Sequence, residues 1–198
     1  MDTSLIFSII SVAIALVALL QTGTQIKLSN KQVLFDRRLT AYSHIYELLS
    51  SYSINKDVLN GEPNLDTTCR LIIKSLTENE VLRDVQMVIE QPIGQESSDK
   101  INSKLRYLNK LSDELSFIFN PKKVKELSKF IKQYKDLLKW FQCYNIQATQ
   151  TKGTEFGSDY KDMLKKQITS TAKEMNETYE KIRKNETLKD LCSLIKLN

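Results

Sequence analysis

The hydrophobic pattern divides the chain into two unequal parts. From Thr3 to Ile26 there is no charged residue, and Leu5, Ile6, Phe7, Ile9, Ile10, Val12, Ile14, Leu16, Val17, Leu19 and Leu20 crowd its apolar stretch. A helix of that length covers about 36 Å, enough for the ~30 Å hydrocarbon layer of a bilayer. The strongly apolar part, Leu5 to Leu20, is shorter, so its ends are expected in wet interface or in a thinned bilayer. The flank Met1-Asp2-Thr3 has no basic residue, whereas Lys27, Lys31, Arg37 and Arg38 follow the segment. That order favours a retained anchor over a signal peptide. By the positive-inside rule it places the N-terminus outside and the rest of the chain in the cytoplasm.

Within this segment Ser4, Ser8, Ser11, Ala15, Ala18 and Thr22 recur at alternating spacings of four and three, which puts small side chains on one stripe. Small stripes let helices approach closely in lipid. The stripe continues as polar residues through Gln25, Ser29, Gln32 and Asp36. The expectation is a homo-oligomer with this face as its seam or as the lining of a water-filled lumen. Helices packed ~10 Å apart enclose a useful lumen only with roughly six or more copies.

Beyond the membrane segment the period is helical throughout. From Lys27 the helix of the membrane segment is expected to continue without a breaker to about Asn55, with Phe35, Leu39, Tyr42, Tyr46 and Leu49 at heptad spacing, ended by Gly61-Glu62-Pro63. A second helical region is expected over Asp66–Gln91, with a break near Thr77, where Thr77-Glu78-Asn79-Glu80 has capping-box form. The stretch from Gln91 to Ser98 reads as a loop, and Asp99–Phe119 as a helix burying Ile101, Leu105, Leu108, Leu111 or Leu115, and Ile118. Asn120-Pro121 starts another, running to about Ala148 with Val124, Leu127, Phe130 or Ile131, Tyr134, Leu137 or Leu138, and Phe141 inside. Thr149–Gly157 is a loop. Ser158 then caps a helix to about Lys184, and Asn185 a short one carrying Leu188, Leu191, Leu194 and Ile195. No segment alternates as a strand. The expected fold is all-α, a membrane helix over residues 1–30 leading into a cytoplasmic helical bundle over 31–198.

Composition agrees. Only 5 Gly and 3 Pro in 198 residues leave few helix breakers. All 29 basic residues but only 23 of the acidic ones lie outside the membrane segment and its flank, giving the soluble part +6. Such charge suits an anionic partner, the lipid surface or RNA. Cys69, Cys143 and Cys192 stand far apart with no CxxC, so they read as buried thiols in a reducing compartment. His44 is the one histidine, which rules out a multi-histidine metal site within the chain. No GxxxxGK[ST], GxSxG or HExxH motif occurs, which argues against nucleotide hydrolysis, and no cofactor is called for.

Two arrangements could carry chemistry. Arg37, Arg38 and His44 fall close together in sequence. An imidazole can exchange protons with a 2′-hydroxyl while a guanidinium holds phosphate, the equipment of metal-free RNA cleavage. On a straight helix Arg37 and His44 lie within ~20° of one face, and Arg38 stands ~120° from His44. The plainer reading makes the arginines membrane-flanking charges and His44 a packed side chain. The second arrangement is a basic face after Pro121: Lys122, Lys125, Lys129 and Lys132, with Lys139 beyond. It reads as a phosphate-binding stripe or as a solvated helix face.

The Arg38–His44 spacing matches the motif Arg, four to six residues, His of HEPN domains, all-α bundles of prokaryotic RNases and defence proteins. With a single N-terminal membrane helix and a short basic helical domain, the layout resembles the small transmembrane accessory proteins of type VI-B CRISPR systems. The resemblance implies a HEPN-like bundle with a degenerate, non-catalytic Arg/His motif. It also implies a homo-oligomeric ring, an octamer among the allowed sizes, that permeabilises or depolarises the membrane in support of an RNA-guided RNA nuclease during antiviral defence. The alternatives are a membrane-tethered HEPN-type ribonuclease and a non-catalytic anchor for a signalling partner.

Overall fold

The structure, a computed structural model, describes residues 3–61, 63–86, 88, 93–150 and 158–195. Among them are six α-helices and no strand: α1 (Thr3–Asn60), α2 (Leu65–Leu76), α3 (Gln95–Ile118), α4 (Pro121–Gln150), α5 (Ser158–Lys184) and α6 (Thr187–Ile195). A 3-10 turn, Arg83–Val85, lies between α2 and α3.

Helix α1 is unbroken for 58 residues, about 87 Å at 1.5 Å per residue. It contains no proline, and nothing lies within 4 Å of a Cβ built on Gly23. Its end is made locally. Asn60 Nδ2 donates to Lys56 O at 2.6 Å, Gly61 N donates to Asp57 O at 3.0 Å, and Pro63 follows. The helix therefore passes Asn55, where it was expected to stop. It runs through residue 30 without a break, the continuation expected from the lack of a breaker there.

The two halves of α1 have different fates. Phe7, Ile10, Val12, Ile14, Leu16, Val17, Leu19 and Leu20 are 49–72% exposed. None of the apolar window is buried in this chain, and the helix is long and apolar enough to cross a membrane. From Ala41 onward the other half enters the core through Ile45, Leu48, Leu49, Tyr52 and Leu59.

The bundle is antiparallel. Helix α2 starts at Asn64, whose side-chain oxygen accepts from Asp66 N at 3.1 Å, and returns along α1 burying Leu65, Cys69, Ile72, Ile73 and Leu76. It stops at Leu76, at the break expected near Thr77. Thr77 closes it instead of opening a new helix: its hydroxyl donates to Ile73 O at 2.9 Å. Asn79 takes the capping role expected of Thr77, accepting from Leu82 N at 3.0 Å. Of that expected helical region, Met87 and residues 89–91 lie outside the described set.

Helix α3 begins at Gln95, inside the expected loop, because no breaker follows Gly94. It buries Ile101, Leu108, Leu111, Leu115 and Ile118 as the pattern predicts. Asn120 caps α4 at Lys122 N, 3.0 Å, and α4 buries the expected stripe. Ser112 and Ser128 exchange hydroxyl-to-carbonyl hydrogen bonds at 3.0 Å each, which two small residues permit where α3 and α4 come together. Of the expected loop after α4, residues 151–157 lie outside the described set. Helix α6 is capped not by Asn185 but by Glu186, which turns the chain at φ 50° and whose carbonyl accepts from Lys189 N at 2.8 Å. It docks through Leu188, Leu191 and Ile195; the Leu194 side chain is outside the described set.

Cys69 is buried, Cys143 half-buried and Cys192 exposed, all three as free thiols. Cys192 departs from expectation because α6 turns Leu191 and Ile195 inward and leaves it on the outer side. Burial pushes the Cys69 thiol up to about 12, so it is inert.

A charge cluster pins the end of the bundle far from the exposed helix. Asp66 contacts Lys161, lies 3.4 Å from Lys165 and accepts from the Tyr144 hydroxyl at 2.8 Å. The Lys161 hydrogen bond first, then that of Tyr144, holds its carboxyl at about 2, below its ordinary 3.8. A depressed carboxylate stabilises the fold above its unfolded value and loses that contribution as pH falls through its folded one. The side chain is 44% exposed, so screening reduces the contribution to about 1 kcal/mol. Asp66→Asn should lower stability by about that amount at pH 7. Urea midpoints across pH 4 to 2 should fall less steeply for the variant than for the wild type; equal slopes would exclude the pin.

Candidate functional site: the free face of helix α1 and the Arg/His stretch

The small stripe is carried on a rigid rod. Ser8, Ser11, Ala15, Ala18, Thr22, Gln25 and Ser29 are exposed along α1; Ser4 is in the helix, but its side chain is outside the described set. The Thr22 hydroxyl donates to Ala18 O at 2.8 Å and that of Thr24 to Leu20 O at 3.0 Å. Such back-bonding satisfies a hydroxyl within its own helix, which lets it sit in a low-dielectric environment.

The continuous helix reveals a longer pattern than the sequence suggested. Ser8, Ala15, Thr22, Ser29, Asp36, Ser43 and Ser50 repeat every seven residues, and each is exposed. At 100° per residue Ser43 stands about 140–200° from Ala41, Ile45, Leu48 and Tyr52, the side chains buried in the bundle. At Ser29, Asp36 and Ser43 the stripe therefore lies on the side of α1 turned away from the bundle, while Ser50 borders α5 and α6 and, on a straight helix, Ala15 and Ser8 stand about 80–100° from the bundle side. A strict seven-residue repeat drifts ~20° per turn of the pattern on a straight helix, a drift that a left-handed supercoil with neighbouring helices takes up.

The Arg/His stretch is arranged differently. Arg38 Nε donates to Ile118 O at 2.8 Å, and its guanidinium lies 5.7 Å from the centre of the Phe119 ring. A cation there satisfies a carbonyl at the end of α3 and complements the negative end of its dipole. Arg37 is 63% exposed, 3.9 Å from Glu114, a pair worth little in water. His44 is half-buried, its Nδ1 2.5 Å from the Tyr107 hydroxyl, the rings meeting edge to face. Burial, then Glu114, raises Tyr107. Across the unbroken helix Arg38 and His44 are separated by ~9 Å of rise and ~120° of azimuth. One side chain is directed to the end of α3 and the other to its middle.

The basic face divides as well. Lys122, Lys125, Lys129 and Lys132 are exposed on α4. Lys132 pairs with Asp113 at 3.1 Å; further along, Lys135 pairs with Asp136 at 3.3 Å and Lys139 lies 5.0 Å from the Trp140 ring centre. The unneutralised charge thus gathers at the start of α4.

A groove of about 550 Å³ between α1, α5 and α6 is lined by Tyr46, Ser50, Tyr179, Arg183 and Lys189, among others. Its charges are spent on one another: Lys189 lies 2.6 Å from Glu186 and Arg183 4.0 Å from Glu180.

Motif reading missed Tyr107, which reaches His44 across 63 residues, and Glu114. No local signal marks either; only the antiparallel packing of α3 on α1 brings them there. No known protein family, curated protein or solved structure matches the chain.

Proposed function

We propose that this chain is a membrane-permeabilising accessory effector. It is anchored in the bacterial inner membrane by the first half of α1, N-terminus out, and self-associates along the α1 stripe into a homo-oligomeric ring. The observation that carries this is the seven-residue repeat of small and polar side chains from Ser8 to Ser43, exposed throughout and turned away from the bundle where α1 enters it. Copies can meet, or line a lumen, along that face with their bundles outside and not in collision. In this reading the bundle is HEPN-like and its Arg/His motif degenerate, which the engagement of Arg38 by Ile118 favours. The assignment to antiviral defence beside an RNA-guided RNA nuclease rests on the resemblance in layout.

The test is the size of the assembly. Full-length protein extracted into mild detergent or nanodiscs, then cross-linked or imaged as single particles, should give a closed ring of roughly six or more copies. A monomer, dimer or trimer would exclude a pore.

A further inference from the structure

Topology fixes which end of the bundle faces the membrane. Arg37 meets Glu114, Arg38 meets Ile118 and His44 meets Tyr107, so α3 runs antiparallel to α1 and points its C-terminus back along the exposed half of that helix. The chain turns at Phe119-Asn120 and re-enters the bundle as α4. The corner carries Phe117, which is 86% exposed, the highest value for a large hydrophobic side chain among the described residues. Beside it lie exposed Lys122, Lys123 and Lys125, none in an ion pair with a described residue. A solvated helix end gains nothing from an uncovered Phe ring, whereas an interfacial anchor combines an aromatic ring with lysines.

We propose that this corner, Phe117 with Lys122, Lys123 and Lys125, docks on the anionic headgroups of the leaflet from which α1 emerges. The inference rests on the membrane reading of α1. From Ile26 to Arg38 the helix rises ~18 Å, and the interfacial layer is ~6 Å thick. On an upright helix the corner, which lies beyond Ile118, stands about a Debye length from the headgroups. The tilt of ~20° common to membrane helices brings the Phe117 ring down to them when it leans toward the bundle. Docking would fix that tilt and hence the splay of α1 helices in an assembly.

The test uses the full chain in nanodiscs with or without anionic lipid, and brominated acyl chains as quencher. Phe117→Trp in a Trp140→Phe background reports the corner, and Leu16→Trp in the same background reports the anchor. Residue 117 should be quenched only with anionic lipid. Each lysine near such a surface strengthens docking roughly five-fold, so Lys122→Glu, Lys123→Glu and Lys125→Glu together should abolish that quenching and leave residue 16 quenched. Quenching at 16 but not 117 overturns the docking and keeps the anchor; quenching at neither overturns both. A residue 117 shielded from aqueous iodide yet untouched by bromine means a neighbouring copy covers it, which also overturns the proposal. Should the tryptophan variants misfold, hydrogen exchange of the unmodified chain decides: amides of 117–125 should be slower with anionic than with zwitterionic lipid, and equal rates overturn it.

Discussion

Ser11→Leu combined with Ala15→Leu should abolish both the oligomer and the membrane permeability of the full-length protein. Both positions lie on the exposed small-residue stripe of α1, and no side chain of the chain's own core covers them. In lipid there is no hydrophobic drive to bring helices together, so association depends on close approach over small residues. A leucine at each site inserts methyl groups where the proposed neighbour's helix packs. Overpacking costs about 1–3 kcal/mol per site. Two sites at every seam give about 2–6 kcal/mol, a factor of roughly 30 to more than 10⁴ in each pairwise equilibrium. A ring repeats that factor at every interface. Leu20→Val, on the opposite side of α1, is the control and should leave assembly intact. Three outcomes separate the readings. Loss of the ring makes the stripe a seam. A ring that persists with permeability blocked makes it the lumen wall. A ring that persists with full permeability leaves the stripe without a role and ends the proposal.

The all-α fold was legible in the sequence because each soluble helix carries its own apolar period. Ile101, Leu108 and Ile118 on α3 and Val124, Phe130 and Phe141 on α4 fall inside as predicted. The Asn120-Pro121 start was legible because cap and proline act within one turn. The end of α2 was legible in place, near Thr77, but not in kind. A Thr-x-x-Glu string satisfies the capping-box pattern, but Thr77 Oγ1 reached back to Ile73 and Lys74 and left the following donor to Asn79. Which of the two hydroxyl partners wins depends on the direction of the chain after the helix, a tertiary matter. Arg38 teaches the same lesson. Its spacing to His44 is readable, but its partner is the Ile118 carbonyl 80 residues away, and only folding supplies it. The stripe was half legible: the small residues to Thr22 and their polar continuation to Asp36 stand out, while Ser43 and Ser50 became part of it once α1 proved continuous and its buried side was known.

Phe130→Ala should cost about 3–5 kcal/mol and leave the bundle near its unfolding threshold. Phe130 is fully buried on α4. Its ring centre lies 5.6 Å from that of Tyr52 on α1, 6.0 Å from Tyr134 and 6.4 Å from Tyr179 on α5. Each tyrosine is tied elsewhere by its hydroxyl: Tyr52 donates to Ala172 O at 3.5 Å, Tyr134 to Leu76 O, and Tyr179 to Ser53 Oγ at 3.0 Å. These bonds hold the three rings apart, so they cannot collapse into the space a missing Phe leaves. The cavity term is then paid nearly in full, and it adds to the lost transfer energy. Phe130→Leu keeps much of the volume and should cost under about 2 kcal/mol. Thermal unfolding followed through Trp140 should show a midpoint drop of roughly 6–20 °C for the alanine variant. The exposed half of α1 shares no core with Phe130, so membrane fractionation of that variant should be unchanged while its bundle becomes sensitive to protease. A variant that melts like wild type would mean the aromatic cluster does not join α1 to α4 and α5. A variant lost from the membrane would mean the apolar half of α1 depends on the bundle for insertion.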